Sequence, residues 1–230
     1  MDVFGNALAD YYRKGATDTL WLHNSYDEPE EMPVEIFFRS LDELPELERL
    51  ALDLCKGNVL DVGAGVGSHT LLLQERGMDV TAIDISPAAV QIMKQRGVKR
   101  AIEQDILTLT TKYDTLLFLM NGIGLTGTLA GLTSFLAQAK QMINADGQLI
   151  FDSSNISYLY EGLSKPSNKY FGEISYRYEY KQQKGKWFDW LYVDQQTLTE
   201  ISQQQGWYCE IIFDDGEDQY LASLSLKPKN

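Results

Sequence analysis

The sequence predicts an α/β fold, a doubly wound, mostly parallel sheet with helices on both faces. Three observations carry this prediction. Between residues 58 and 153, short apolar runs alternate with amphipathic stretches in βαβαβ order. A glycine-rich turn follows the first of those runs and leads into a helix, the layout of a nucleotide-binding loop. After residue 194, a helix and two β-type segments close the chain.

The elements follow in order. Residues 1–57 read as a helical leader packed on the core, with helical stretches at 7–14 and 43–55. Between these lie an acidic loop, Asp27-Glu28-Pro29-Glu30-Glu31, and an apolar run with two charges at 34–39. Residues 59–62 form the first core strand. Ser68 opens a helix with Leu71, Leu72 and Glu75 at helical spacing, and Gly77 stops it. Residues 80–84 are the second strand. Ser86-Pro87 then supplies an N-cap and a first-turn proline to a helix running through Val90 and Met93 to Gly97.

A short third strand is predicted at 101–104, and the nearly all-apolar 115–120 is a fourth, buried on both faces. Leu129, Leu132, Leu136, Ala139 and Ile143 step by three or four and predict a helix of about four turns. Asp146-Gly147 turns into a fifth strand at 148–152. The polar, aromatic segment 154–192 contains a hairpin: 174–180 alternates with period two, 182–185 turns, and 186–192 returns. Asp194 caps a helix carrying Leu198 and Ile201 that ends at Gly206. Strands at 207–213 and 219–226 flank an acidic turn. The division expected is a leader, 1–57, and a ligand-binding domain, 58–230, with the aromatic hairpin inserted at about 154–192.

Bulk properties narrow the function. A chain of 230 residues, 44% hydrophobic and 23% charged, is sized for one soluble domain with a sizeable core. A net charge of −13 works against a nucleic-acid partner, which needs clustered Lys and Arg. A small molecule fits better. Cys55 and Cys209 provide neither a disulfide framework nor a metal set, so two free thiols and no metal are expected. The first residues lack the basic and apolar regions of a signal peptide, and no apolar run approaches the ~20 residues of a membrane helix. The expectation is a cytoplasmic protein with no membrane association.

The chemistry concentrates in Val59-Leu60-Asp61-Val62-Gly63-Ala64-Gly65-Val66-Gly67. Glycines lack Cβ, so a ligand can lie against the backbone, and the helix that follows offers free N–H groups to an anion. Asp84 ends the second strand, 21 positions beyond Gly63, where an acid can accept from both hydroxyls of a ribose. Asp105 ends the third strand and can accept from the exocyclic amine of adenine, with Ile85 and Ile106 flanking the base. Each acid alone would be a plain cap. Their order at successive strand ends is what points to a ligand.

On these residues the chain resembles the class I S-adenosylmethionine-dependent methyltransferases. Their first motif looks like 59–67, with Asp61 as the acid before the glycines. Asp84 matches the ribose-binding acid, and Asp105-Ile106 the adenine-contacting pair. Asn121-Gly122-Ile123-Gly124 lies where the fourth motif bounds the methyl-transfer site. The resemblance implies a seven-stranded sheet with the last strand antiparallel, S-adenosylmethionine as cofactor, S-adenosylhomocysteine as product and a small-molecule acceptor. It further implies a cofactor site built from Asp61, Gly63, Ala64, Gly65, Gly67, Asp84, Ile85, Asp105, Ile106 and Asn121. Catalytic candidates are Asn121, which can orient an acceptor, His69 just inside the helix after the loop, and Tyr12. Tyr11 and Arg39, with Tyr12, are leader residues that can close over the site, His23 beside Trp21 is a further candidate base, and the aromatic hairpin can line an acceptor pocket.

Two rivals stand beside this reading. A nicotinamide- or flavin-dependent oxidoreductase would carry G-x-G-x-x-G or G-x-G-x-x-A. Here the spacing is G-x-G-x-G, Ser68 takes the third small position, and Tyr176 is followed four residues on by Tyr180 rather than a lysine. The other rival is a module that binds the cofactor without turnover, since no catalytic base is obvious.

Overall fold

The computed structural model describes residues 2–15 and 18–226. The leader holds α1 (Val3–Lys14), β1 (Leu20–Asn24), β2 (Glu30–Glu31), two short 3-10 turns and α2 (Glu46–Leu54). The core follows with β3 (Asn58–Val62), α3 (Ser68–Glu75), β4 (Asp79–Asp84), α4 (Pro87–Arg96), β5 (Ala101–Glu103), β6 (Tyr113–Phe118), α5 (Leu129–Ala139) and β7 (Ile143–Ser154). Next come β8 (Glu173–Tyr180), β9 (Gln183–Lys184), β10 (Phe188–Leu191), α6 (Gln195–Gln204), β11 (Trp207–Asp214) and β12 (Gln219–Leu226).

The main sheet has seven strands in the order β11-β12-β7-β6-β3-β4-β5. Strands β7, β6, β3, β4 and β5 run parallel. The last strand, β12, lies antiparallel between β7 and β11. The chain steps outward from β3 through β4 to β5, then crosses back to β6 on the other side of β3. The carboxyl ends of β3 and β6 therefore meet at the topological switch point, where open α/β sheets bind ligands. One face of the sheet packs Leu60, Val62, Phe118 and Phe151 against α5 and α6. The other packs Val59, Leu117 and Ile150 against α2 and α3. Burial on both faces is why these strands read as unbroken apolar runs.

The structure departs from the sequence reading in three places. The leader is not only helical: β1 enters a second sheet of order β10-β8-β1-β2, with β9 paired to β8. Leu20, Leu22 and Asn24 are buried and face Tyr180, Tyr178 and Tyr176, while Trp21 is exposed between them. That period of two is a strand signal, hidden by the helical stretches on either side. Helix α5 ends at Ala139, and Ile143 opens β7 instead. Ile143 sits in the same core as Leu136 and Ala139, so burial continues the helical pattern although the backbone has turned at 141–142. Strand β6 stops at Phe118, because Met120 and Asn121 are left-handed, with φ of 59° and 54°.

The second sheet docks on the carboxyl edge of the first. The Trp190 indole lies on Gly124 so closely that a Cβ there would stand 2.2 Å from Nε1. The Leu191 carbonyl accepts from Asn121 Nδ2 at 3.2 Å, and Ser153 Oγ accepts from the Val193 amide at 3.1 Å. At the other end Phe4 of α1 stacks on Tyr178, ring centroids 5.0 Å apart. Leader and hairpin thus form one layer across the switch point.

Candidate active site

The loop after β3 is shaped by its glycines. Gly63, Gly65 and Gly67 have φ of 67°, 55° and 81°, a region costly for residues with a Cβ. A Cβ at Gly63 or Gly65 would meet nothing within 4 Å, so the backbone there borders open space. A Cβ at Gly67 would press on Val98 and Met93, so that glycine lets α3 approach α4. Ala64 is pinned by its amide to the Ile83 carbonyl at 3.0 Å. Gly67 caps α3 without a side chain, which leaves first-turn amides free for a ligand.

Asp84 is buried beside this loop. Its two oxygens accept from the Gly65 amide at 2.9 Å and the Ser86 amide at 2.8 Å. Burial pushes its carboxyl up to about 6, against the pull of those two amides, and the charges of Asp2 and Asp61 add to the rise. Asp2 caps α1 and accepts from Ser86 Oγ at 2.6 Å, so the leader is tied to the start of α4 at this point. Ile85 follows with 75% of its surface exposed, an apolar platform on an otherwise sealed edge. Asp105 is exposed and caps a short turn through the Leu107 amide at 2.9 Å, and Ile106 is buried.

Asp61 is fully enclosed and accepts from Thr70 Oγ1 at 2.6 Å, stitching β3 to α3. Burial raises its pKa, with His69 and Thr70 opposing. His69 is bonded through Nε2 to Glu48 Oε2 at 2.6 Å, and Arg39 donates to Glu48 Oε1 at 2.6 Å. Burial alone would raise Glu48, but His69 and Arg39 outweigh it and hold the carboxyl below its usual value. Replacing Glu48 with Gln strands the Arg39 charge in a half-buried setting. It should cost about 2 kcal/mol in denaturant unfolding, and no loss would show that the pair is merely exposed contact.

Asn121 and Asp152 meet at the ends of β6 and β7. The Asn121 amide donates to Asp152 Oδ2 at 2.8 Å. Asn121 Oδ1 and Asp152 Oδ1 are buried and have no hydrogen-bond partner. Burial pushes Asp152 up to about 7, opposed by the Asn121 amide and reinforced by the negative charge of Glu48. Above them stands a tyrosine cluster from the second sheet. Tyr176 donates to Tyr192 at 3.2 Å, and Tyr26 joins them. Burial raises all three phenols, Tyr26 to about 12, so they stay neutral hydroxyls. Tyr26 also lines an open surface groove of about 750 Å³ with Asn24, Ser175 and Trp187.

The structure thus brings together Asp61, Gly63, Ala64, Gly65, Gly67, Asp84, Asn121 and His69. Tyr12 is exposed and stacked on Phe38, the ring that also carries Arg96, whose Nη1 donates to the Val66 carbonyl of the loop. Tyr11 packs on the same ring, and His23 binds Glu179 at 2.7 Å on the strand face opposite Tyr178. Sequence reasoning missed Asp152, Glu48 and the tyrosine hydroxyls. Asp152 carried a signal, an acid closing an apolar run, as Asp61 and Asp84 do.

The raised carboxyls set a pH dependence. A group whose folded pKa lies above its unfolded value stabilises fully below the unfolded pKa, near 4, and loses that contribution as pH rises through the folded one. Asp84 and Asp152 therefore each remove stability from near pH 4 up to about 6 and about 7, by about 1.4 kcal/mol per pH unit. The ligand-free protein should melt at a lower temperature at about pH 8 than at about pH 5, a difference that Asp152→Asn shrinks. A flat profile would contradict both shifts.

A sequence profile of the methyltransferase-domain family matches residues 35–210. A Bacteroides fragilis S-adenosylmethionine-dependent methyltransferase, solved with S-adenosylhomocysteine, is 40% identical over 98% of this chain and 94% of its own, with a TM-score of 0.91. The CcbJ methyltransferase of Streptomyces caelestis shares the fold at 12% identity, covering 97% of this chain and 98% of its own, with a TM-score of 0.65. The magnesium-protoporphyrin O-methyltransferase of Rhodobacter capsulatus is 48% identical over 50 residues, and the match spans 22% of each chain. Among the described residues no helix is long and apolar enough to cross a membrane. A glycine loop open to a ligand, an acid at the next strand end and a terminal antiparallel strand agree with these likenesses: the chain belongs to the methyltransferase-domain family and is an S-adenosylmethionine-dependent methyltransferase.

Proposed function

We propose that this enzyme methylates a small-molecule acceptor held between the carboxyl edge of the main sheet and the tyrosines of the second. The observation that carries the reading is the pair of orphaned buried acceptors, Asn121 Oδ1 and Asp152 Oδ1, with Tyr192 of the Tyr26–Tyr176–Tyr192 cluster within electrostatic reach of Asp152. Such a chamber suits a polar guest of modest size. The net charge of −13 argues against nucleic acid.

The residues fit the cofactor. The space bordering Gly63 and Gly65 admits the methionyl chain, and the free amides opening α3 face its carboxylate. Asp61 keeps the loop in shape through Thr70 and lies near the amino group. Asp84 has lone pairs beyond those given to Gly65 and Ser86, and these take the ribose hydroxyls. Ile85 offers adenine an exposed apolar face and Asp105 would accept from its amine, whereas Ile106, expected to flank the base, is buried in the core against Leu60, Val62 and Ile83. When bound, S-adenosylmethionine supplies an electrophilic methyl on a good leaving group. The protein's part is then positioning the nucleophile in line and excluding water. We assign 1–57 and the hairpin within 154–192 jointly to the acceptor roof over the cofactor domain. Unpaired Cys55 and Cys209 support a reducing compartment, the cytoplasm.

Calorimetry with S-adenosylmethionine and with NAD, followed by methyl-release assays over small amines and alcohols, tests this. Binding of the first alone with turnover of a panel member is expected. NAD binding would favour the oxidoreductase, and cofactor binding with no product would favour a module without turnover.

A further inference from the structure

We propose that Asp152 and Asn121 anchor the reacting nitrogen of the acceptor, so that the substrate class is a primary or secondary amine. The inference rests on the methyl-transfer reading and narrows its substrate.

Position comes first. Asp61 pairs with Leu117, and Leu117 with Ile150. Carried two residues on, that register brings Gly63 and Asp152 level at the edge of the sheet, with β6 between them. Asp152 shares a sheet face with Asp61, because Ile150 and Asp152 alternate with Phe151.

Unmet hydrogen bonding comes second. Asn121 is 9% exposed and Asp152 6%, yet each keeps one oxygen unpartnered. The Asn121 amide cannot turn to correct this, because its Nδ2 is held by the Leu191 carbonyl and its backbone N–H by Asp152 Oδ2. Two buried, unpartnered acceptors on residues already joined by the Asn121 N–H to Asp152 Oδ2 call for one group with two hydrogens to give. An ammonium or amine has them; a hydroxyl has one, and a carbon nucleophile has none.

Charge comes third. Asp61, Asp84, Asp152 and Glu48 are all buried around the switch point. Arg39 pairs with Glu48, His69 is also bonded to Glu48, and Arg96 gives its Nη1 to the Val66 carbonyl and Ser68 Oγ, so among the described residues no salt bridge reaches Asp61, Asp84 or Asp152. Glu48 and His69 are the ionisable groups that act most on Asp152, and the Asp152 charge in turn acts on Tyr192. This surplus of acid repels an anionic acceptor and draws in a cationic one. A bound ammonium has no free lone pair. One of its protons passes to Asp152 Oδ1, giving a neutral amine and a neutral carboxylic acid with total charge unchanged. The freed pair would then form the N–C bond to the methyl as the S–C bond breaks with its electrons going to sulfur, leaving neutral S-adenosylhomocysteine and a methylated ammonium.

Sinefungin tests the anchor without any acceptor. It is an analogue of the cofactor in which a carbon replaces the sulfonium sulfur and a primary amine on that carbon replaces the methyl, so its amine takes the place of the methyl that the nucleophile meets. By calorimetry at about pH 8, the enzyme should bind sinefungin about 10- to 100-fold more tightly than S-adenosylhomocysteine, one charge-assisted hydrogen bond's worth. Asp152→Asn should erase that preference and hold S-adenosylhomocysteine affinity within about threefold. Equal affinities in the unaltered enzyme would overturn the anchor alone. A tenfold or greater loss of S-adenosylhomocysteine affinity in Asp152→Asn would overturn it too, by assigning Asp152 to the cofactor. Binding of neither ligand would overturn the methyl-transfer reading itself. Should Asp152→Asn fail to fold, Asn121→Gly keeps the left-handed backbone and the N–H to Asp152 while removing Oδ1. It should cut the preference, and an unchanged preference would equally overturn the anchor.

Discussion

Asp84→Ala should weaken S-adenosylmethionine binding by about 100- to 10,000-fold and leave the chain folded. Two charge-assisted hydrogen bonds to ribose, at about 1.5–3 kcal/mol each, set that scale. The fold should survive because burial already makes the ionised carboxylate unfavourable when no ligand is bound, with Asp2 and Asp61 adding repulsion. Part of the loss comes through the loop, since Asp84 also holds the Gly65 and Ser86 amides. Asp84→Asn separates the parts: it retains one acceptor and gives up the charge, so its affinity should fall between the two. In the unaltered enzyme, affinity should climb as pH rises through about 6, where Asp84 ionises, and the Ala variant should lack that inflection. An unchanged Kd in Asp84→Ala would remove the ribose assignment.

Why was Asp84 legible in the sequence and Asp152 not? Asp84 is announced by distance from a glycine loop and by the Ser86-Pro87 cap behind it, all local features. Asp152 gains its meaning from Asn121, 31 positions away, and from tyrosines on a sheet whose strands come from both ends of the chain. Pairing across such separations leaves no local trace beyond alternation. Even alternation failed for β1, where five residues lie between helical stretches. The parallel core was legible for the opposite reason. Each βα unit writes its own apolar run, turn and cap, and strands buried on both faces cannot hide among polar residues. The overextended α5 shows the limit: burial carries the apolar pattern past the point where the backbone leaves the helix, so periodicity reports the core and not the hydrogen bonding.

Gly65→Ala and Gly67→Ala should fail in different ways, though the two glycines are two residues apart and both left-handed. At Gly65 the new methyl meets no protein atom, so the fold bears only the conformational cost, about 1–2 kcal/mol. The methyl would instead occupy the space the cofactor needs, and affinity should fall about 100-fold or more. At Gly67 the methyl would stand 2.8 Å from Val98 Cγ2 and 3.0 Å from Met93 Cγ, beside the cluster in which Leu71 of α3 meets Val90 and Met93 of α4 and Ala82 of β4. Overpacking adds about 1–3 kcal/mol to the same backbone cost, so Gly67→Ala should unfold at clearly lower denaturant. Its loss of binding should follow the shift of α3 rather than a blocked pocket. Thermal unfolding and calorimetry on both variants read the difference. Gly65→Ala with unaltered cofactor affinity would mean that no ligand lies against that backbone. The contrast also gives the G-x-G-x-G spacing a physical meaning. Its first two glycines keep the ligand face bare, and its third brings α3 down onto α4, which sets the angle at which the free amides of α3 meet the cofactor.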